Sequence, residues 1–264
     1  MRVESLRAWL AALLLWIACG GAAVAQVPVE GFEIGLSTNE ITVGTNFGGS
    51  RLVVFGALDN ADLRVLRQGR YDIVVVLEGP RRNVVVRQRD RVFGIWINRG
   101  SEQFDALPLS YALAASRPLR DIAPASVLRQ LNIGARNEVL RAQRSTDNTQ
   151  AEADDYAQAM LRLKTQSNLY MESFGTIEFV SQTLFRASLV LSSDLPVGRH
   201  TVRAYLFKEG QFLRERSEEL WVRKTGIEND ISVFAASNGA LYGLMAVLLA
   251  VATGWFGRVL FRRD

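Results

Sequence analysis

The stretch FGALDNADLR sets Asp59, Asn60 and Asp62 directly behind an apolar run, three oxygen-bearing side chains near enough to share a cation or act as an acid–base pair. Calcium asks for about six to eight oxygens, with acids and a glycine spaced as in an EF-hand loop, and that spacing is missing. Asp and Asn also favour turns, because their side chains bond their own backbone. These residues therefore predict a strand-to-loop corner. A second cluster is cationic: RRNVVVRQRDRV gathers Arg81, Arg82, Arg87, Arg89 and Arg91. If Gln88 to Asp90 form a hairpin tip, the guanidinium forks meet at one end of a lobe, as candidate contacts for a small anion or for anionic lipid head groups. The plainer alternative is a solvated tip in an arginine-rich chain.

Nucleophile and metal chemistry have little to draw on. His200 is the only histidine and Cys19 the only cysteine. A histidine metal cluster is excluded, and a serine–histidine triad would rest on His200 alone. Cys19 lies in MRVESLRAWLAALLLWIACGGAAVAQ, where Arg2 and Arg7 precede an apolar stretch and Ala23-Val24-Ala25 offers a signal-peptidase site. Residues 1–25 are read as a signal peptide cleaved after Ala25. The alternative, a lipoprotein signal with Cys19 acylated, fits poorly because Trp16 is bulky where a leucine-like residue is usual. Cleavage leaves a mature chain without a thiol, so a disulfide, thiolate zinc, covalent haem and a cysteine nucleophile are all excluded. No catalytic residue, cofactor or metal is assigned.

The other terminus carries the strongest signal. No charged residue falls between Asp230 and Arg258. About twenty such residues cross a bilayer as a helix. Tyr242 and Trp255 suit the two interfaces, and Arg258, Arg262 and Arg263 mark the cytoplasmic side. The expected arrangement is a single-pass protein of the inner membrane with a periplasmic domain, a juxtamembrane linker at 227–237, a span at 238–257 and a cytoplasmic stub at 258–264. Such a stub holds no folded unit, so the net charge of +4 is not read as nucleic-acid binding. Along the span, Gly239, Gly243, Ala246, Ala250, Thr253 and Gly257 recur at steps of four and three. Small residues on one face let helix backbones approach, so the seam points to a homodimer or to a larger membrane partner within the bilayer.

The exported part must position whatever chemistry exists. FEIGLS, EITVG, RLVVFGAL, YDIVVVLEG, RNVVVRQ and RVFGIWINRG read as strands, with TIEFVSQTLFRASLVLSS, HTVRAYLFKEG and QFLRERSEELWVRK resuming later. The fold class expected is mainly β: an immunoglobulin-like antiparallel sandwich lobe at 26–118, a helical insert at 119–174 and a second β segment or lobe at 175–226. Tyr156, Met160, Leu163, Tyr170 and Phe174 fall at helical intervals in the insert. An echo links LRQGRYDIVVVLEG (66–79) to LPVGRHTVRAYLFKEG (195–210), as two related lobes would produce. LPVGRHTV also looks like the corner where such sandwiches place a tyrosine, which makes His200 structural.

VVFGALDNADLRVLRQGRYDIVVVLEGP, RVFGIWINRG, PLSYALAASRPL and LPVGRHTVRAYLFKEG together resemble a family of alphaproteobacterial transmembrane proteins across nearly the whole mature chain. The resemblance implies an exported domain plus one C-terminal span, and genes that stand beside one for a sulfite-exporter-type permease. It carries over no functional residue. The leading expectation is a membrane-anchored, non-enzymatic periplasmic accessory protein associated with such an anion permease. The alternatives are a periplasmic sensor or binding protein for a small anion and, behind it, a hydrolase with an all-carboxylate site.

Overall fold

A strand with no polar face has to be covered on both sides. YDIVVVLE, β4 (Tyr71–Glu78), is buried at every position. By contrast β3 (Ser50–Asp59) and β10 (Leu184–Leu191) alternate, turning Leu52, Val54, Leu58, Phe185, Ala187 and Leu189 inward and leaving the other face to solvent. These patterns assign β4 to a central layer and the other two to an outer one. The computed structural model describes residues 30–44, 47–144, 149–224, 231 and 234–260. The expected signal peptide and residues 261–264 of the stub lie outside them, as does much of the linker.

One sheet runs β1 (Gly31–Leu36), β3, β10, β9 (Ile177–Phe179); the other runs β2 (Glu40–Val43), β12 (Gln211–Lys224), β11 (Gly198–Lys208), β4, β7 (Tyr111–Ala115), β8 (Tyr170–Phe174). In the immunoglobulin plan β1, β3, β10 and β9 take the places of strands A, B, E and D, while β4, β11 and β12 take those of C, F and G. Two edge pairings are parallel, β2 on β12 and β8 on β7. Each sheet mixes strands from before and after the helical insert: β10 pairs with β3 and β11 with β4. The two β stretches therefore make one sandwich. The echoing segments 66–79 and 195–210 are not related lobes; they hold the neighbouring antiparallel strands β4 and β11.

The sandwich core lies between the sheets, where Ile73, Val75 and Leu77 meet Leu52, Val54 and Phe185. A second core covers the outer face of the six-stranded sheet. There Val74, Val76, Leu113 and Phe207 pack under the insert. The insert comprises α2 (Leu119–Ile122), α3 (Ala125–Gln130), α4 (Ala135–Ala142) and α5 (Gln150–Gln166), after a short α1 (Leu63–Arg67) nearer the start. A capping box between Thr149 and Glu152 starts α5, whose Tyr156 and Met160 are buried as their spacing suggests. The helical pattern stops there. Leu163 is 57% exposed, Asn168 takes φ 54°, and Tyr170 and Phe174 belong to β8, because a left-handed residue ends the helix.

Between β4 and β7 the chain makes a long hairpin of β5 (Arg81–Val92) and β6 (Ile95–Pro108). RVFGIWINRG is thus two strand ends around a turn. The tip is Phe93-Gly94, with φ of 49° and 84°, and Gln88 to Asp90 lie within β5. A two-residue hairpin loop matches strand twist when both central residues have positive φ, a demand Gly94 meets without strain. Finally, α6 (Gly239–Leu260) contains a candidate span at Gly239–Arg258 with mean hydropathy 1.7, none of it buried. Twenty residues at 1.5 Å each reach about 30 Å, the depth of a hydrocarbon core.

Candidate functional site

The arginines proposed as an anion site do not converge. With a rise of about 3.3 Å per residue, ten residues of strand separate Arg81 from Arg91 by roughly 30 Å. Arg81 sits at the hairpin root, where it bonds Glu78, Glu138 at 3.2 Å and the Ala106 carbonyl at 3.1 Å. Arg203 reaches Glu78 at 3.3 Å and Arg141 reaches Glu138 at 2.9 Å. Glu138 is fully buried and Glu78 nearly so. Burial pushes the Glu138 carboxyl above its usual range, the Glu78 charge adds to that, and Arg81 opposes it. Arg81 thus neutralises two buried acids that tie β4, the hairpin and α4 together. Arg82 is exposed beside it.

Farther out, the hairpin stem and α5 enclose a cleft of about 480 Å³ lined by Arg87, Arg99, Asp90, Glu152, Asp155 and Tyr156, among others. Two guanidinium groups there face three carboxyl groups, and Arg99 lies 3.6 Å from Asp90. A cleft with that balance does not favour an anion. Arg89 and Arg91 stand beyond it, exposed, on the way to the tip. The tip itself is the feature that sequence reading missed. Phe93 is 102% exposed, Ile95 68% and Trp96 65%. The signal available was FG between two apolar runs, a turn dipeptide disguised by its apolar neighbours.

The other chemistry-bearing residues are held structurally. Asp59 accepts from the Asn60 amide and Asp62 caps α1 by accepting from Arg64 N, both at 2.9 Å. Asn60 supplies a positive φ of 52° for the corner. Among the described residues there is no group of three His, Cys, Asp or Glu side chains able to hold a metal. Asp72, inside the apolar β4, is bonded by Arg117 and by the Ser116 hydroxyl at 2.8 Å. A charged residue at each end of a buried run was the sequence signal that partners must exist.

His200 is wholly buried, its Nε2 3.3 Å from Ser110 Oγ and its Nδ1 3.3 Å from the Gly198 carbonyl. Gly79 closes over it; a Cβ there would lie 2.3 Å from Ser110 Oγ and 3.2 Å from the ring. Among the described residues the His200 ring has no exposure to solvent. Burial lowers the imidazole pKa, more than the Gly198 bond raises it. The folded ring therefore takes up a proton less readily than the unfolded chain, which accepts one below about pH 6.5. Stability should fall as pH drops from there, by up to about 1.4 kcal/mol per pH unit. In His200→Gln, urea unfolding between pH 5 and 7 should lose that slope. An unchanged slope would assign it to another group.

On α6 the seam residues Gly239, Gly243, Ala246, Ala250, Thr253 and Gly257 share one face, since steps of four and three track the helical turn. At Gly239, Gly243 and Gly257 an added Cβ would meet nothing within 4 Å. That face is open among the described residues, as is the rest of the helix.

A family model described as "Putative transmembrane protein (Alph_Pro_TM)" matches residues 31–263. No curated protein matches the chain in sequence. Among solved structures the chain is similar to AggA, the major subunit of aggregative adherence fimbriae type I from Escherichia coli. Identity is 8% and the TM-score 0.26, with 74% of this chain and 95% of that one covered.

Proposed function

The chain belongs to that transmembrane family, and from this premise we propose that it is a non-enzymatic accessory subunit of a larger membrane protein. In this reading a signal peptide sends the sandwich to the periplasm, and α6 anchors it in the inner membrane with Arg258 on the cytoplasmic side, as the positive-inside rule favours. The partner is a transport protein, an anion permease of the sulfite-exporter type, in keeping with the gene neighbourhood that the family resemblance implies. The observation that carries the reading is the open small-residue face of α6, which nothing in the described chain fills. Catalysis has less support: Asp72, Glu78 and Glu138 are each neutralised by arginine, and His200 is sealed. Anion sensing by the hairpin has less as well, since acids line its cleft.

Copurification tests this. The tagged full chain, crosslinked in native membranes and solubilised, should bring down a multi-span transport protein. Gly243→Leu with Ala250→Leu keeps the helix apolar and inserted but holds a neighbouring backbone away. That variant should reach a normal membrane level and lose the partner. Recovery of the wild type alone, or full retention by the variant, would contradict the proposal.

A further inference from the structure

The tip of the β5–β6 hairpin exposes apolar side chains on both of its faces. The register sets Arg91 opposite Trp96, Val92 opposite Ile95, and Asp90 opposite Ile97. Cross-strand partners project to the same side and neighbours along a strand to opposite sides. Trp96 therefore stands on one face, with Ile95 and Ile97 on the other. A hairpin made to lie on a protein surface needs one apolar face. This end carries exposed apolar side chains on both faces, with Phe93 fully exposed at its apex. Arg91 stands level with Trp96 and Asp90 level with Ile97, a mixture that suits the interfacial layer rather than hydrocarbon. Arg89 stands level with Asn98, about 13 Å up the stem from Phe93 at strand rise.

We propose that this tip enters the interfacial layer of the bilayer the chain spans, with Phe93, Ile95 and Trp96 at the acyl-chain boundary and Arg89 and Arg91 on anionic lipid head groups. Aromatic rings settle at that depth, and guanidinium groups pair with phosphate oxygens above it, the Arg91 stem reaching back from the level of Trp96 as long cationic side chains do at interfaces. From Phe93 to Ile97 the hairpin extends about 10 Å, the depth to which interfacial segments sink. Its unpaired strand edges keep it from going deeper, because hydrocarbon cannot satisfy them. Placement agrees. The hairpin leaves the six-stranded sheet just after Glu78, at the end where Val222 of β12 pairs with Gly198, and a Cβ on Gly198 would lie 2.9 Å from Pro80. The chain running to the span leaves that same end. Fourteen residues lie between Lys224 and Gly239, at most about 50 Å of chain. The inference stands whether or not α6 finds a protein partner.

The test uses the full chain in vesicles of phosphatidylcholine with phosphatidylglycerol, and Trp96→Phe as the blank, so that the difference in emission belongs to Trp96. Acyl-chain bromines on the lipid should quench that emission, and aqueous iodide should not. Arg89→Glu with Arg91→Glu, both exposed positions, should weaken the bromine quenching and restore iodide access. Trp96 emission that iodide still quenches in vesicles overturns the proposal. So does a Trp96 shielded from iodide but untouched by bromine, which would put the tip against protein. Quenching indifferent to the arginine reversal would overturn their assignment to head groups.

Discussion

Arg81→Met should destabilise the exported fold by about 3–5 kcal/mol, the usual cost of stripping the partner from buried charge. Methionine keeps much of the stem's bulk, so the loss is electrostatic. Glu138 would retain Arg141, and Glu78 would retain Arg203, but the cation standing between the two acids would be gone. The pH dependence of this loss has a definite sign. Glu138 already titrates above its usual range in the folded chain because of burial and Glu78. A group whose folded pKa is raised favours folding more as pH falls through that value, because the folded state then holds a proton the unfolded state lacks. Removing Arg81 takes away the influence that opposes the rise. The penalty measured at neutral pH should therefore shrink toward pH 5. Adding Glu138→Gln to Arg81→Met should recover part of it at neutral pH. Denaturant unfolding of the two variants at both pH values checks this; a loss below about 1 kcal/mol, typical of an exposed ion pair, would show the network to be solvated.

Gly56→Ala should cost about 1–3 kcal/mol, although alanine is the smallest possible addition. Gly56 lies in β3, between Ile34 and Phe185 of the flanking strands. Its Cβ would fall 2.2 Å from Phe185 Cζ and 2.8 Å from the Glu33 carbonyl. Phe185 cannot swing aside freely. It is fully buried and stacked on Phe32, ring centres 5.8 Å apart. A close-packed core passes such an intrusion on as backbone shift. Phe185→Leu should be destabilising alone yet recover part of the Gly56→Ala loss when combined, as expected of residues in contact. Strict additivity of the two losses would mean that the ring and the added methyl do not meet.

Strands with one wet face were legible in the sequence because alternation reports burial directly, as in β3 and β10. The span was legible for a similar reason: a bilayer demands length and apolarity, and both are local properties. The Arg81 network was not. Glu138 lies 57 residues from Arg81, and no spacing announces a partner brought in by tertiary packing. The end of α5 was missed because Tyr170 and Phe174 continue its apolar period while belonging to β8. The hairpin tip failed for a more telling reason. Val-Phe-Gly-Ile-Trp-Ile reads as a strand core, yet the structure leaves Phe93, Ile95 and Trp96 exposed. Local pattern and observed environment disagree there, and such conflicts gather at functional surfaces.

Under the proposed function, the small-residue face of α6 is where this protein meets a membrane partner. Site-specific photocrosslinking from each position between Gly239 and Gly257, in native membranes, tests it most directly. Crosslinks to a second membrane protein should peak at Gly239, Gly243, Ala246, Ala250, Thr253 and Gly257, and fade at Leu241, Leu244, Leu248 and Trp255, which lie on the far side of the helix. Crosslinks that favour the leucine side, or that run evenly around the helix, would contradict it.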